Sequence, residues 1–203
     1  ISVDADFPVV VAESGFVAWD LAVPLNTSST DPTQAQIIDL SAGEFLTQVP
    51  YQARLVLKPG DSETFEAFVS QVRAAAEGVE VSSAETAPLR VLVEENAAAQ
   101  QVLVRIEGRS VHSSVADQGI NPLWGLAALA ERLALGNSAG NRILAVLSRY
   151  FVDDHYGDKL GLAYSDSLMG PLLVAPTVLR VKDVKVVLSV NMRRPVGMRS
   201  EAF

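Results

Sequence analysis

Two histidines, His112 and His155, are the only imidazoles in the chain, and it has no cysteine. A disulfide scaffold, a thiolate zinc site and a cysteine nucleophile are therefore excluded. The histidines stand 43 residues apart, with no HExxH motif and no helical spacing that would aim two rings at one metal. No GxSxG, GxxxxGK[ST] or GxGxxG motif occurs. The sequence holds no self-sufficient active site, but it can lend residues to a site completed elsewhere.

His112 lies in Gly108-Arg109-Ser110-Val111-His112-Ser113-Ser114, a run of small polar residues between a predicted strand and a predicted helix start. Such a loop suits either a functional histidine or an ordinary surface one. His155 follows Asp153-Asp154 and reads as a solvated loop histidine. Asp4 and Asp6, one residue apart, suit a metal or a capped turn. Arg193 and Arg194 close a long β-type run before Pro195. They read as a solvated pair or as a fork for a carboxylate. Phe65 and Phe68 read as core, and Trp124 as core or interface.

The elements that must hold these residues follow from periodicity. Short β-type runs fall at 9–12, 17–23 and 37–40, and a clearer one at 53–57. Lys58-Pro59-Gly60-Asp61 reads as a turn with Asp61 as helix N-cap, and Phe65, Phe68, Val69 and Val72 form one helical stripe. Gly78 suits the helix end. Runs at 89–94 and 101–107 predict a strand pair. Asn121-Pro122 predicts a capped helix to about 135, and a second helix covers about 141–152. Late strands are expected at 172–175, 178–181 and 184–190, and 199–203 reads as the start of a further helix. The recurring β-α-β-β-α order predicts an α+β fold, with antiparallel sheets and helices on one face in two ferredoxin-like βαββαβ-type lobes.

About half of the residues are apolar and a fifth are charged, enough to bury a core. The net charge of −8 argues against a nucleic-acid backbone binder. No apolar run reaches the ~18 residues a membrane span needs. The first residue is Ile1, with neither Met nor a signal-peptide pattern, so the expectation is a piece of something longer.

Six segments, taken in order, resemble the PepV-type bacterial dipeptidases of the wider dizinc superfamily of aminoacylases, carnosinases and desuccinylases. Asp4-Ala5-Asp6-Phe7-Pro8 resembles the family's PDA[DE]FP segment, and Gly108 to Ser114 its GxSAHGS loop. Ile120-Asn121-Pro122 is similar to the GIN stretch that follows. Tyr150 to Gly161 resembles YFxxDHxGxxLG, and Met169-Gly170-Pro171-Leu172 resembles MGxLT. Asn191 to Gly197 resembles NxRYPxG, with Arg194 in place of Tyr.

The resemblance implies a lid domain inserted into a zinc-dependent catalytic domain. Residues 1–50 would form the edge of that catalytic domain and the entry into the lid, and residues 51–203 the two-lobed lid with a cut last helix. It implies Asp4 as a ligand to one of two zinc ions, the partner ligands lying outside this sequence. It implies His112 as the lid histidine that closes on the scissile carbonyl oxygen, and Arg193 as the receptor of the substrate's C-terminal carboxylate. Thr47 stands where the family has a substrate-contacting Asn, ahead of Gln48-Val49-Pro50, and offers a shorter arm with one donor. Gly170 falls in a segment expected to meet substrate. The implied partners are a dipeptide and the catalytic domain of the same chain, in the cytoplasm, with no nucleic acid or membrane. The fragment alone would be inactive. The rival reading is a non-catalytic α+β dimerisation module of a related metallopeptidase; a catalytically dead homologue is a third.

Overall fold

Seven strands whose inward positions are almost all aliphatic make one antiparallel sheet. The structure is a computed structural model that describes residues 12–25, 31–79 and 89–197. The strands are β1 (Gly15–Pro24), β2 (Gln36–Ala42), β3 (Gln52–Lys58), β4 (Arg90–Asn96) and β5 (Gln101–Glu107), then a two-stranded hairpin of β6 (Ser165–Asp166) and β7 (Gly170–Pro171), then β8 (Leu173–Lys182) and β9 (Lys185–Arg194). The large sheet has the order β1-β9-β8-β2-β3-β5-β4. Helices α1 (Phe65–Glu77), α2 (Pro122–Glu131) and α3 (Ala139–Tyr150) pack against it, giving the α+β fold expected. The run expected at 9–12, save for Ala12, which lies in no strand, and the run at 199–203 fall outside the described residues, as does Asp4.

The sheet has two halves, β1-β9-β8 and β2-β3-β5-β4. They meet where β2 pairs with β8 at Ala42 and Leu179. Gly43 follows with φ +67°, and a Cβ there would stand 1.9 Å from the Thr177 carbonyl oxygen. Only glycine allows both that dihedral and that approach. The segments expected at 172–175 and 178–181 form one strand, β8, with a register shift between Pro176 and Val178. Proline cannot donate to the ladder, and a bulge lets the strand continue past it.

Strand parity decides the two faces. Leu55, Leu57, Val102, Val104, Ile106, Leu188, Val190 and Met192 point to the helices and join one core with Phe68, Leu126 and Leu144. The helix α1 stripe Phe65, Phe68, Val69, Val72 is buried as periodicity predicts. Its N-cap is Thr64 rather than Asp61: the Thr64 hydroxyl accepts from the Ala67 amide at 3.3 Å. Asp61 instead sits in the preceding turn, its amide donating to the Pro32 carbonyl at 2.7 Å. Each large apolar side chain in this core contributes about 1.5–3 kcal/mol by leaving water. Phe68 is 1% exposed, and its replacement by alanine would cost about 3–5 kcal/mol.

On the other face the β2-β3-β5-β4 half carries ion pairs, Arg54 with Asp39, Arg105 with Glu94 and Arg90 with Glu107. Over β8 and β9 the same face is covered. The segments 45–50 and 109–118 lie across it, with Val49, Ala116 and Ala175 forming a small second core. The candidate site sits at the edge of this cover.

Candidate functional site

Residue 193 is aimed by sheet register. Arg193 pairs with Phe16 of β1 and Leu173 of β8, while Arg194 pairs with Gly15. Successive strand residues alternate faces, so Arg193 points away from the helices and Arg194 toward them. The Arg193 guanidinium lies over the Phe16 ring, 5.2 Å from its centroid. Its Nε donates to the Ser113 hydroxyl at 3.0 Å. Burial draws its pKa below the ordinary arginine value, and the Glu13 carboxylate opposes that shift. An arginine stays cationic under any such shift.

The His112 loop is pinned before the histidine is reached. A Cβ at Gly108 would stand 2.1 Å from the Ile120 carbonyl oxygen. That close approach is needed because Arg109 and Ile120 exchange backbone hydrogen bonds, each of 3.0 Å. The loop then pairs with the segment containing Thr47. The Val49 amide donates to the Val111 carbonyl at 2.9 Å, and the Ser113 amide to the Thr47 carbonyl at 2.8 Å. The Ser110 hydroxyl donates to the Val49 carbonyl at 2.7 Å, and Gln48 Nε2 donates to Ser110 Oγ at 2.8 Å. From below, Asn191 Nδ2 donates to the Leu46 carbonyl at 2.9 Å. Asn191 is buried on the same strand face as Arg193.

His112 caps a short 3-10 turn, Ser113–Gln118. Its Nδ1 lies 2.8 Å from the Ser114 hydroxyl and 3.3 Å from the Ser114 amide. Its Nε2 lies 3.4 Å from Arg193 Nη2. When Nδ1 accepts from the Ser114 amide, as a cap does, Nε2 carries the hydrogen. Two donors then lie side by side, an arrangement suited to a ligand with neighbouring oxygen atoms that carry negative charge. The alternative neutral tautomer lets Nε2 accept from the guanidinium and leaves the Ser114 amide without its partner.

Of the residues singled out from sequence, the structure brings His112, Arg193 and the backbone of Thr47 together. The Thr47 side chain is exposed beside them. Gly170 lies on the β6–β7 hairpin with φ +78°, three residues before Leu173 and so toward the Arg193 end of β8. Ser113, Phe16 and Asn191 are site residues that sequence reasoning did not single out as functional. Ser113 and Asn191 fall inside the motif segments 108–114 and 191–197, so their positions were available; Phe16 becomes visible only through strand register.

His155 departs from the solvated reading. It is partly buried, its ring 4.7 Å from the Trp124 ring, and Trp124 is 1% exposed. Burial holds the His155 pKa below its ordinary 6.5, against the opposing pull of Asp117, Asp154 and Asp153. The reason is the buried Asp154, whose carboxylate accepts from the amides of Tyr156, Gly157 and Lys159 at 2.9, 2.8 and 2.8 Å. It turns the loop back onto helix α2.

A cleft of about 460 Å³ adjoins the site through Gln48 and Ser110, with Phe45 and Tyr51 on its walls. Phe45 is 60% exposed and Tyr51 58%, a pair of aromatics open to solvent. Among the described residues no three His, Cys, Asp or Glu side chains come together as a metal site. No helix of the described residues is long and apolar enough to cross a membrane.

No protein-family model matches the chain. Its similarity to curated proteins nonetheless covers nearly all of it. It is 28% identical over 202 residues to the protein named "Putative dipeptidase YtjP" of Bacillus subtilis, covering 98% of this chain and 40% of that protein. It is 24% identical over 204 residues to a "Putative dipeptidase" of Staphylococcus epidermidis, with the same coverage. A protein of the same description from Staphylococcus aureus is 25% identical, again covering 98% of this chain and 40% of its own length. The chain thus spans about two fifths of the length of these relatives.

Proposed function

We propose that this chain is the substrate-closing lid of a larger, zinc-dependent cytoplasmic dipeptidase, with His112 and Arg193 as its substrate-contacting pair. The observation that carries the reading is the convergence of His112 Nε2 and Arg193 Nη2 at 3.4 Å. In a dipeptide the scissile carbonyl carbon and the terminal carboxylate carbon are three bonds apart, about 3–4 Å. One donor can meet the carbonyl oxygen while the other meets the carboxylate. An internal peptide bond of a longer chain carries no carboxylate at that distance, so the pair would select a C-terminal peptide bond, the one bond a dipeptide offers. The names of the relatives and their match to the whole chain support the same substrate class.

In this reading His112 donates from Nε2 to the scissile carbonyl oxygen as negative charge develops there. One such donor is typically worth about 2.7–4 kcal/mol in the transition state. The Arg193 guanidinium orients the substrate by its carboxylate, held in place by Ser113 and Phe16. Thr47 offers a hydroxyl to the same ligand, and Gly170 leaves room for it on the hairpin side. The described residues do not form a dizinc site. Asp4 and the remaining zinc ligands, together with the attacking water, belong to the catalytic portion. The catalytic domain of the same polypeptide is then the partner on which this lid closes, and closure excludes water.

The test is His112→Ala in the full-length protein. The expected outcome is a fall in kcat of about 100-fold or more at unchanged metal content. An unaltered kcat would return His112 to the status of a surface-loop residue.

A further inference from the structure

We infer that the loop 153–159 is a brace that sets His112 against Arg193, with Tyr156 and Asp117 as positioning residues. The inference rests on the function proposed above. The loop is made rigid from within. The Asp154 carboxylate takes three backbone amides, and Asp153 and Gly157 both adopt positive φ, +56° and +78°. A Cβ on Gly157 would stand 3.2 Å from Val174 Cγ2, so the loop lies directly on the start of β8.

Its outward contacts reach each element that carries the pair. On one side the Val174 amide donates to the His155 carbonyl at 2.8 Å. Val174 is next to Leu173, which lies across from Arg193 in the sheet. On the other side the Tyr156 hydroxyl donates to Asp117 Oδ2 at 3.3 Å. Asp117 belongs to the 3-10 turn that His112 caps. Between these contacts the His155 ring packs on Trp124 of α2, the helix that follows that turn. The turn itself is short and has a non-helical residue, Val115, inside it, with φ −133°. A turn of this kind has few hydrogen bonds of its own to hold its orientation. Burial and the neighbouring Asp117 raise the Tyr156 hydroxyl pKa above its ordinary value, so it remains a donor at neutral pH.

The brace predicts a distinctive pattern in the full-length protein acting on a dipeptide. Tyr156→Phe and Asp117→Ala should each lower kcat about 3- to 10-fold, with KM unchanged because Arg193 still holds the carboxylate. The double variant should be no worse than either single one. Asp117→Asn keeps a carbonyl acceptor for the hydroxyl and should restore most of the rate. A loop that served stability alone would lower the melting temperature without this split or this rescue. The inference is overturned if Tyr156→Phe turns over at the wild-type rate, if the two losses add, or if Asp117→Asn is as slow as Asp117→Ala. Should the wild-type protein cleave no dipeptide, the functional reading falls and the brace is judged alone by NMR of the His112 ring. Ring signals shifted in Tyr156→Phe and Asp117→Ala but not in Asp117→Asn support it; unmoved signals refute it.

Discussion

Replacing Arg193 with methionine in the full-length protein isolates the role of its charged fork. The Nε–H of Arg193 is committed to Ser113 at 3.0 Å, so its two Nη groups are the ones presented to a ligand. A charge-assisted hydrogen bond is worth about 1.5–3 kcal/mol. Arg193 is only partly buried, so the lower part of that range applies. About 1.5–2 kcal/mol corresponds to a loss of roughly 10- to 30-fold in kcat/KM for free dipeptides. Methionine keeps much of the bulk of the arginine stem, which limits the packing change, but it removes the guanidinium from over the Phe16 ring. The assay compares free dipeptides with C-terminally amidated ones. The amidated substrates lack the carboxylate and should lose far less. Arg194→Met is the control, because register points that side chain toward the helices. An equal loss on both substrates, or a carboxylate preference that follows Arg194, would refute the assignment.

Three further outcomes are expected. Asp154→Ala strips three backbone amides of their acceptor and should cost about 2–4 kcal/mol, read as a drop of roughly 5–15 °C in the thermal midpoint. The His155 pKa is lower in the folded state than its ordinary 6.5, so the unfolded chain binds the extra proton first. Stability should therefore be full above that value and fall as pH drops through it toward the folded-state pKa, and His155→Phe should flatten this slope in pH-dependent melts. This chain by itself, supplied with zinc, should hydrolyse no dipeptide; turnover by the purified chain would overturn the lid reading.

The strands were legible because their inward positions follow period two against a buried face, as Val102, Val104 and Ile106 show. The α1 stripe was legible for the same reason at helical period. The start of α1 was harder, since Asp61 and Thr64 are both good caps and the turn at Pro59-Gly60 claims the first. His112 and Arg193 were named by motif, but their meeting across 81 residues depends on the fold. Phe16 under the guanidinium and the Tyr156–Asp117 contact depend on register and loop path, which no local spacing encodes. His155 was misjudged because flanking acids suggest solvent, whereas Asp154 turns inward to organise its own loop and carries the ring onto Trp124.

If the proposed function holds, His112 and Arg193 grip one dipeptide together. A crystal structure of the full-length protein with a phosphinate dipeptide analogue tests it most directly, the phosphinate standing in for the tetrahedral intermediate. The analogue's carboxylate should lie on the Arg193 Nη groups and a phosphinate oxygen on His112 Nε2, each at hydrogen-bonding distance, roughly 2.7–3.2 Å. An analogue bound in the catalytic portion with both side chains turned to solvent would contradict it.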